Sequence, residues 1–152
     1  MSQLDPLMSF TKMQRGQRVD RATDNILTGE NLFTITGGRV LVTQIVGEVT
    51  TTMQTTTINF NLTSDPTVGT TTNDMCALTD LTAAEVGSLL SITGVAADAL
   101  VVGKSGSVRG MSNPMIVAAG AIEATVGATH TGSIKWSIWY IPLDDGAYVE
   151  AA

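Results

Sequence analysis

The chain contains one histidine, His130, and one cysteine, Cys76. A thiol and an imidazole form a nucleophile and its base when they meet, but these two stand far apart and neither lies in a motif that would join them. Glu48, Asp74, Glu85 and Glu123 are the carboxylates from which an acid–base pair for glycoside hydrolysis would be drawn. Any chain of this size offers such a set, so it singles out no pair. Gly103-Lys104-Ser105 resembles the end of a phosphate-cradling loop, but the first glycine of G-x-x-x-x-G-K-[ST] falls on Asp98. Asp144-Asp145 offers too few oxygens for calcium. His130 makes no metal site by itself within one chain; only a ring of copies around a symmetry axis would gather several. Serine-hydrolase, zincin and zinc-ribbon spacings are missing. The expectation is a protein that works through its surfaces, with no enzymatic activity, no cofactor and no resident metal.

Composition narrows the partners. The 152 residues carry a formal net charge of −6, with 14% charged and 5% aromatic side chains. An acidic chain lacks the basic footprint that replaces counterions on nucleic acid. No apolar run approaches the roughly 18 residues of a membrane helix, and the first residues lack the charged and apolar regions of a secretory signal. Neither a nucleic-acid nor a membrane partner is expected, and synthesis in a cytosol follows. A lone cysteine forms no internal disulfide, so Cys76 reads as a small buried hydrophobe. Asn61-Leu62-Thr63 matches a glycosylation acceptor only by chance if there is no secretory route.

The elements that position these residues read as strands. About one residue in seven is threonine, whose branched Cβ favours strands. Residues 32–52 hold two β-branched runs around Gly37-Gly38, which predicts a hairpin with a glycine turn. The second run, residues 39–49, has apolar side chains on both faces and reads as a central strand buried on both sides, with a bulge near Gly47. Residues 57–63 and 133–142 alternate cleanly. In the latter, Ile134, Trp136, Ile138 and Tyr140 share one face, opposite Lys135, Ser137 and Trp139. Short strands are also expected at 75–78, 89–93, 95–102, 115–117 and 120–126, a helical turn at 82–86, and a hairpin turn at Asp144-Asp145-Gly146. Short strands between Gly-rich turns predict an all-β fold, a single β-sandwich or jelly-roll-like barrel.

Residues 1–31 differ from the rest. They hold Lys12, Arg15, Arg18 and Arg21, half of the eight basic residues, and show no sustained period of 2 or 3.6. The division expected is an extended N-terminal arm over 1–31 and a β-sandwich domain over 32–152. Those four basic side chains are the candidate contacts to another subunit or to a capsid, since the body beyond them is acidic.

Two stretches, TITGGRVLVTQIVGEVTT at 34–51 and WSIWYIPLDDGA at 136–147, resemble virion proteins of tailed bacteriophages. That group shares an FT[VI]TGG segment, a GEVTT strand end, an ITG segment like Ile92-Thr93-Gly94, and a terminal Y-x-PLDDGA. The resemblance covers residues 32–152 and is weakest over the arm. It implies a structural protein of the phage particle: a decoration or cement protein on the capsid surface, bound to the major capsid protein, often as a homotrimer. No small-molecule ligand is implied. A tail, neck or head-fibre component is the alternative. So is a carbohydrate-binding module on the virion, for which Trp139 and Tyr148 are the aromatic candidates.

Overall fold

The computed structural model describes residues 16–26, 28–104, 106–128 and 130–152. Among them there is no helix, and two six-stranded antiparallel sheets pack face to face. The first sheet runs β1 (Gln17–Asn25), β11 (Ser133–Pro142), β3 (Val40–Thr51), β7 (Leu89–Ser91) and β8 (Val101–Gly103), with β9 (Met115–Val117) also on β3. The second runs β12 (Tyr148–Ala151), β2 (Glu30–Thr36), β10 (Gly120–Val126), β4 (Asn59–Pro66) and β5 (Asn73–Asp74), with β6 (Thr79–Asp80) also on β4. The expected all-β sandwich is the observed fold.

The alternation of β11 sets the inner face of the first sheet. Ile134, Trp136, Ile138 and Tyr140 are buried, as that pattern requires. The Trp136 indole reaches across the sandwich and stacks on Phe60 of β4, ring centroids 5.9 Å apart and planes within 10°. Gly47, its register partner on β3, makes the space: a Cβ there would stand 2.8 Å from the indole. In the second sheet a bulge between Phe33 and Asn31 leaves Leu32 unpaired with β10, so that Leu32 and Phe33 are both buried.

The Gly37-Gly38 turn is not a hairpin. β2 lies in the second sheet and β3 in the first, so the glycines carry the chain around a corner of the sandwich. Both have positive φ, 84° and 146°. Asp144-Asp145-Gly146 turns a matching corner, from β11 in the first sheet to β12 in the second. Glycine supplies the turn geometry in either case, but the sheet that the next strand joins is decided by distant partners.

β3 is central, as expected, between β11 on one side and β7 and β9 on the other. Its mixed apolar pattern has a different cause from burial on both faces. The register to β11 slips at Trp139/Tyr140, opposite Gln44 and Val42, leaving Thr43 as an extra residue. The inward set therefore changes phase, from Val40 and Val42 to Ile45 and Val49. A second slip, at Ser133/Ile134 opposite Thr51 and Val49, leaves Thr50 as another extra residue, and Gly47 itself is paired in register with Trp136.

The boundary expected at residue 31 is corrected at its far end. Gln17–Asn25 is β1, an edge strand paired with β11 from Gln17↔Tyr140 to Asn25↔Ser133. Residues 75–78 form no strand: Met75 and Cys76 drop into the core between β5 and β6. Residues 82–86 make a turn through Ala83, φ 55°, in place of a helical one. Of 95–102, only the end joins a strand, β8, because Thr93 and Asp98 close a turn through a 2.8 Å side-chain hydrogen bond.

Candidate functional site

The residues with catalytic potential are scattered. Cys76 lies in the core, its sulfur accepting a hydrogen bond from the Leu62 amide at 3.4 Å. Burial pushes its thiol up to about 11, and the nearby Asp74 carboxylate adds to this. His130 sits on the β10–β11 loop, its Nδ1 2.6 Å from the Gln54 amide nitrogen. Among the described residues no hydrogen bond joins the two. Glu48 is on the outer face of the first sheet, paired with Lys135 at 3.0 Å, and Glu85 is on a loop. Glu123 and Asp74 share one register row of the second sheet, either side of Thr63. The Glu123 carboxyl is raised by burial and by Asp65, while Asp74 accepts a 3.0 Å hydrogen bond from Asn61 Nδ2. Asn61 is buried and that amide also donates to the Cys76 carbonyl, which closes the glycosylation match to chemistry. Among the described residues no group of three or more His, Cys, Asp and Glu side chains is placed to hold a metal ion. Among them, too, no helix is long and apolar enough to cross a membrane.

Of the four basic candidates, Lys12 and Arg15 lie outside the described residues. The other two have different surroundings. Arg21 is 9% exposed and bonds Glu30 at the start of β2, with Asp24 at 3.4 Å. It ties the edge of one sheet to the other, β1 to the start of β2. Arg18 faces solvent. Its guanidinium lies 5.3 Å from the Trp139 ring centroid and 2.7 Å from Asp20. Asp20 also accepts from the Ser137 hydroxyl at 2.6 Å, and that bond, then Arg18, holds its carboxyl below the usual range.

Trp139 is the outward-facing aromatic side chain of β11, and it floors a groove of about 830 Å³. The bulge in β3 builds this site. It turns Gln44 away from the core, where its Oε1 accepts the Met111 amide at 2.9 Å and its Nε2 donates to Ser91 at 3.1 Å. The tether draws residues 108–114 over the sheet as the groove wall. Arg109 stands on that wall, exposed, with no ion pair or hydrogen bond to its side chain among the described residues. A second hollow of about 390 Å³ over β8 shares Val108 and Arg109 with the first. Tyr148, the other aromatic candidate, is 44% exposed on β12 and lines none of these hollows.

Comparison with protein-family models, curated proteins and solved structures finds no match. Trp139 was legible in the sequence as the odd aromatic on a polar face. The groove wall was not, because a loop some 70 residues from Gln44 supplies it, as the Gln44–Met111 separation of 67 positions shows.

Proposed function

We propose that this chain is a structural protein of a phage particle, binding the outer surface of the capsid beside the major capsid protein and stabilising contacts between capsomers. One observation carries the proposal. The two stretches on which the phage resemblance rests meet in the fold: they supply β3 and most of β11, the paired strands at the middle of the first sheet, with the corner that leads into β3 and the corner that leaves β11. They form one structural unit, which supports reading them together as a family frame and not as two chance matches. The sparse charge of the chain, 14%, supports extensive packing against other subunits, since interface cores are depleted of charge. A homotrimer seated between capsomers would close on itself and gain avidity from several weak footprints.

The test is the copy number in purified particles. A closed lattice position repeats over the shell, so on the order of hundreds of copies per particle are expected. A dozen or fewer would instead place the chain in the tail, neck or a head fibre. A carbohydrate-binding module is the second reading, and the aromatic floor of the Trp139 groove favours it.

A further inference from the structure

We propose that the Trp139 groove is a binding site for an acidic saccharide, one bearing a carboxylate or sulfate. The inference rests on the second reading above and narrows it to a ligand class.

Three features of the groove select this chemistry. Its floor is the central strand pair β3–β11, whose backbone groups are already paired across the sheet from Val40↔Pro142 to Thr51↔Ser133. An extended peptide would therefore find no strand edge to join here. Recognition must come from side chains. The Trp139 indole is the apolar platform, beside Val46 and Met111. The Arg18 guanidinium packs on the ring, and the Thr43 hydroxyl donates to the Trp139 backbone carbonyl at 3.3 Å, which ties the strand beneath it. A rigid, half-buried ring with a polar surround fits the apolar face of a pyranose, as aromatic platforms combine a hydrophobic body with low conformational cost.

The charge comes from Arg109. The neighbouring cation Arg18 is neutralised by Asp20 at 2.7 Å, and Lys135 by Glu48 at 3.0 Å. Among the described residues Arg109 has no such partner, in a chain of net charge −6. Its planar guanidinium suits bidentate pairing with a carboxylate or sulfate. It also stands where the two hollows of about 830 and 390 Å³ adjoin. A ligand of several rings would thus stack one ring on Trp139 and present the anionic group of another to Arg109.

The experiment uses the full chain, with tryptophan fluorescence and calorimetry as readouts. The probes are a galacturonate tetrasaccharide, a neutral cellotetraose and a pentaglutamate peptide. The expected result is saturable fluorescence change with the uronate, weaker binding of the neutral sugar, and none of the peptide. Arg109→Gln should weaken uronate binding by about tenfold or more, the loss of a charge-assisted bidentate contact, and leave the neutral sugar unchanged. Arg109 is exposed and its side chain makes no ion pair or hydrogen bond among the described residues, so this variant should keep the fold, which its melting temperature checks. Equal binding of uronate and neutral sugar, or an unaffected Arg109→Gln, overturns the acidic assignment and leaves the saccharide reading standing. No saturable binding of either sugar overturns both. Peptide binding as tight as uronate binding also overturns the proposal, since charge alone would then explain it.

Discussion

Arg39 and Asp144, 105 positions apart, join the two corners of the sandwich. The Asp144 carboxylate accepts from the Arg39 amide at 2.7 Å and from its guanidinium at 2.9 and 2.7 Å. The Gly38 turn lies directly against it: a Cβ on Gly38 would stand 2.6 Å from the Asp144 Cβ. The T-G-G-R and P-L-D-D-G-A segments are thus halves of one lock between the sheets, with a glycine required where they touch.

The lock should be visible in acid. Arg39 holds the Asp144 carboxyl well below the ordinary carboxylate range. A depressed folded value contributes stability above the unfolded pKa of about 3.9, and that contribution fades as the pH falls further. Asp144→Asn should lower the melting temperature at pH 7 and flatten its decline below about pH 4. Thermal melts of both proteins across pH 2–7 provide the check; parallel curves would contradict the assignment.

Gly47 and Trp136 should behave as a coupled pair. Trp136→Leu removes the indole stacked on Phe60 and should cost about 3 kcal/mol, within the range for large-to-small core changes. Gly47→Ala alone pushes a methyl into the ring and should cost about 1–3 kcal/mol. In the Trp136→Leu background the added methyl meets space, so the double variant should be clearly more stable than the sum of the two losses. Denaturant titrations of the four proteins measure the coupling.

Arg21 and Glu30 carry their ion pair at 9% and 13% exposure. Glu30→Ala leaves the guanidinium buried and without its main partner, which should cost about 3 kcal/mol. Replacing both, as Arg21→Met with Glu30→Leu, should restore most of that stability. An Arg21 acting only as an exposed contact would show neither effect.

Cys76 should report unfolding. Its thiol is raised to about 11 by burial, so at pH 8 a thiol reagent should label the native protein slowly and the denatured protein at once. Since the folded value lies above the unfolded one of about 8.5, the contribution of the protonated thiol to stability is full below that pH and is lost as the pH rises toward 11. Cys76→Ala should remove this alkaline loss, read from melts between pH 8 and 11.

The parts of the fold legible in the sequence are those with one environment per face. β11 alternates without interruption, and Ile134, Trp136, Ile138 and Tyr140 all point inward. β3 was legible as central but not in its phase, since nothing local distinguishes Thr43 as an inserted residue. β1 escaped because an edge strand has little to bury: only Arg21 among its residues is fully covered, and a buried arginine has no hydrophobic signature. The corners were read as hairpins for the reason given by Gly37-Gly38 itself: a positive φ specifies a turn and not the sheet beyond it. The groove needed three distant pieces, Gln44, Trp139 and residues 108–114, to be seen at once.

Where β1 begins also sets the informative truncation. Removal of residues 1–15 keeps every described contact, whereas removal of 1–24 strips Arg18, Arg21 and most of an edge strand paired along β11. The shorter cut should leave the melting temperature nearly unchanged and reduce attachment to particles. The longer cut should lower the melting temperature by itself. Equal particle occupancy after the shorter cut would remove residues 1–15 from the attachment surface.

The most direct test of the central claim is a reconstruction of the intact particle by electron cryomicroscopy. The proposal predicts this two-sheet sandwich, as trimers, in density on the outer surface of the shell at the joints between capsomers. Density for it only at the tail, the neck or the base of a fibre, with bare capsomer joints, would contradict the proposal.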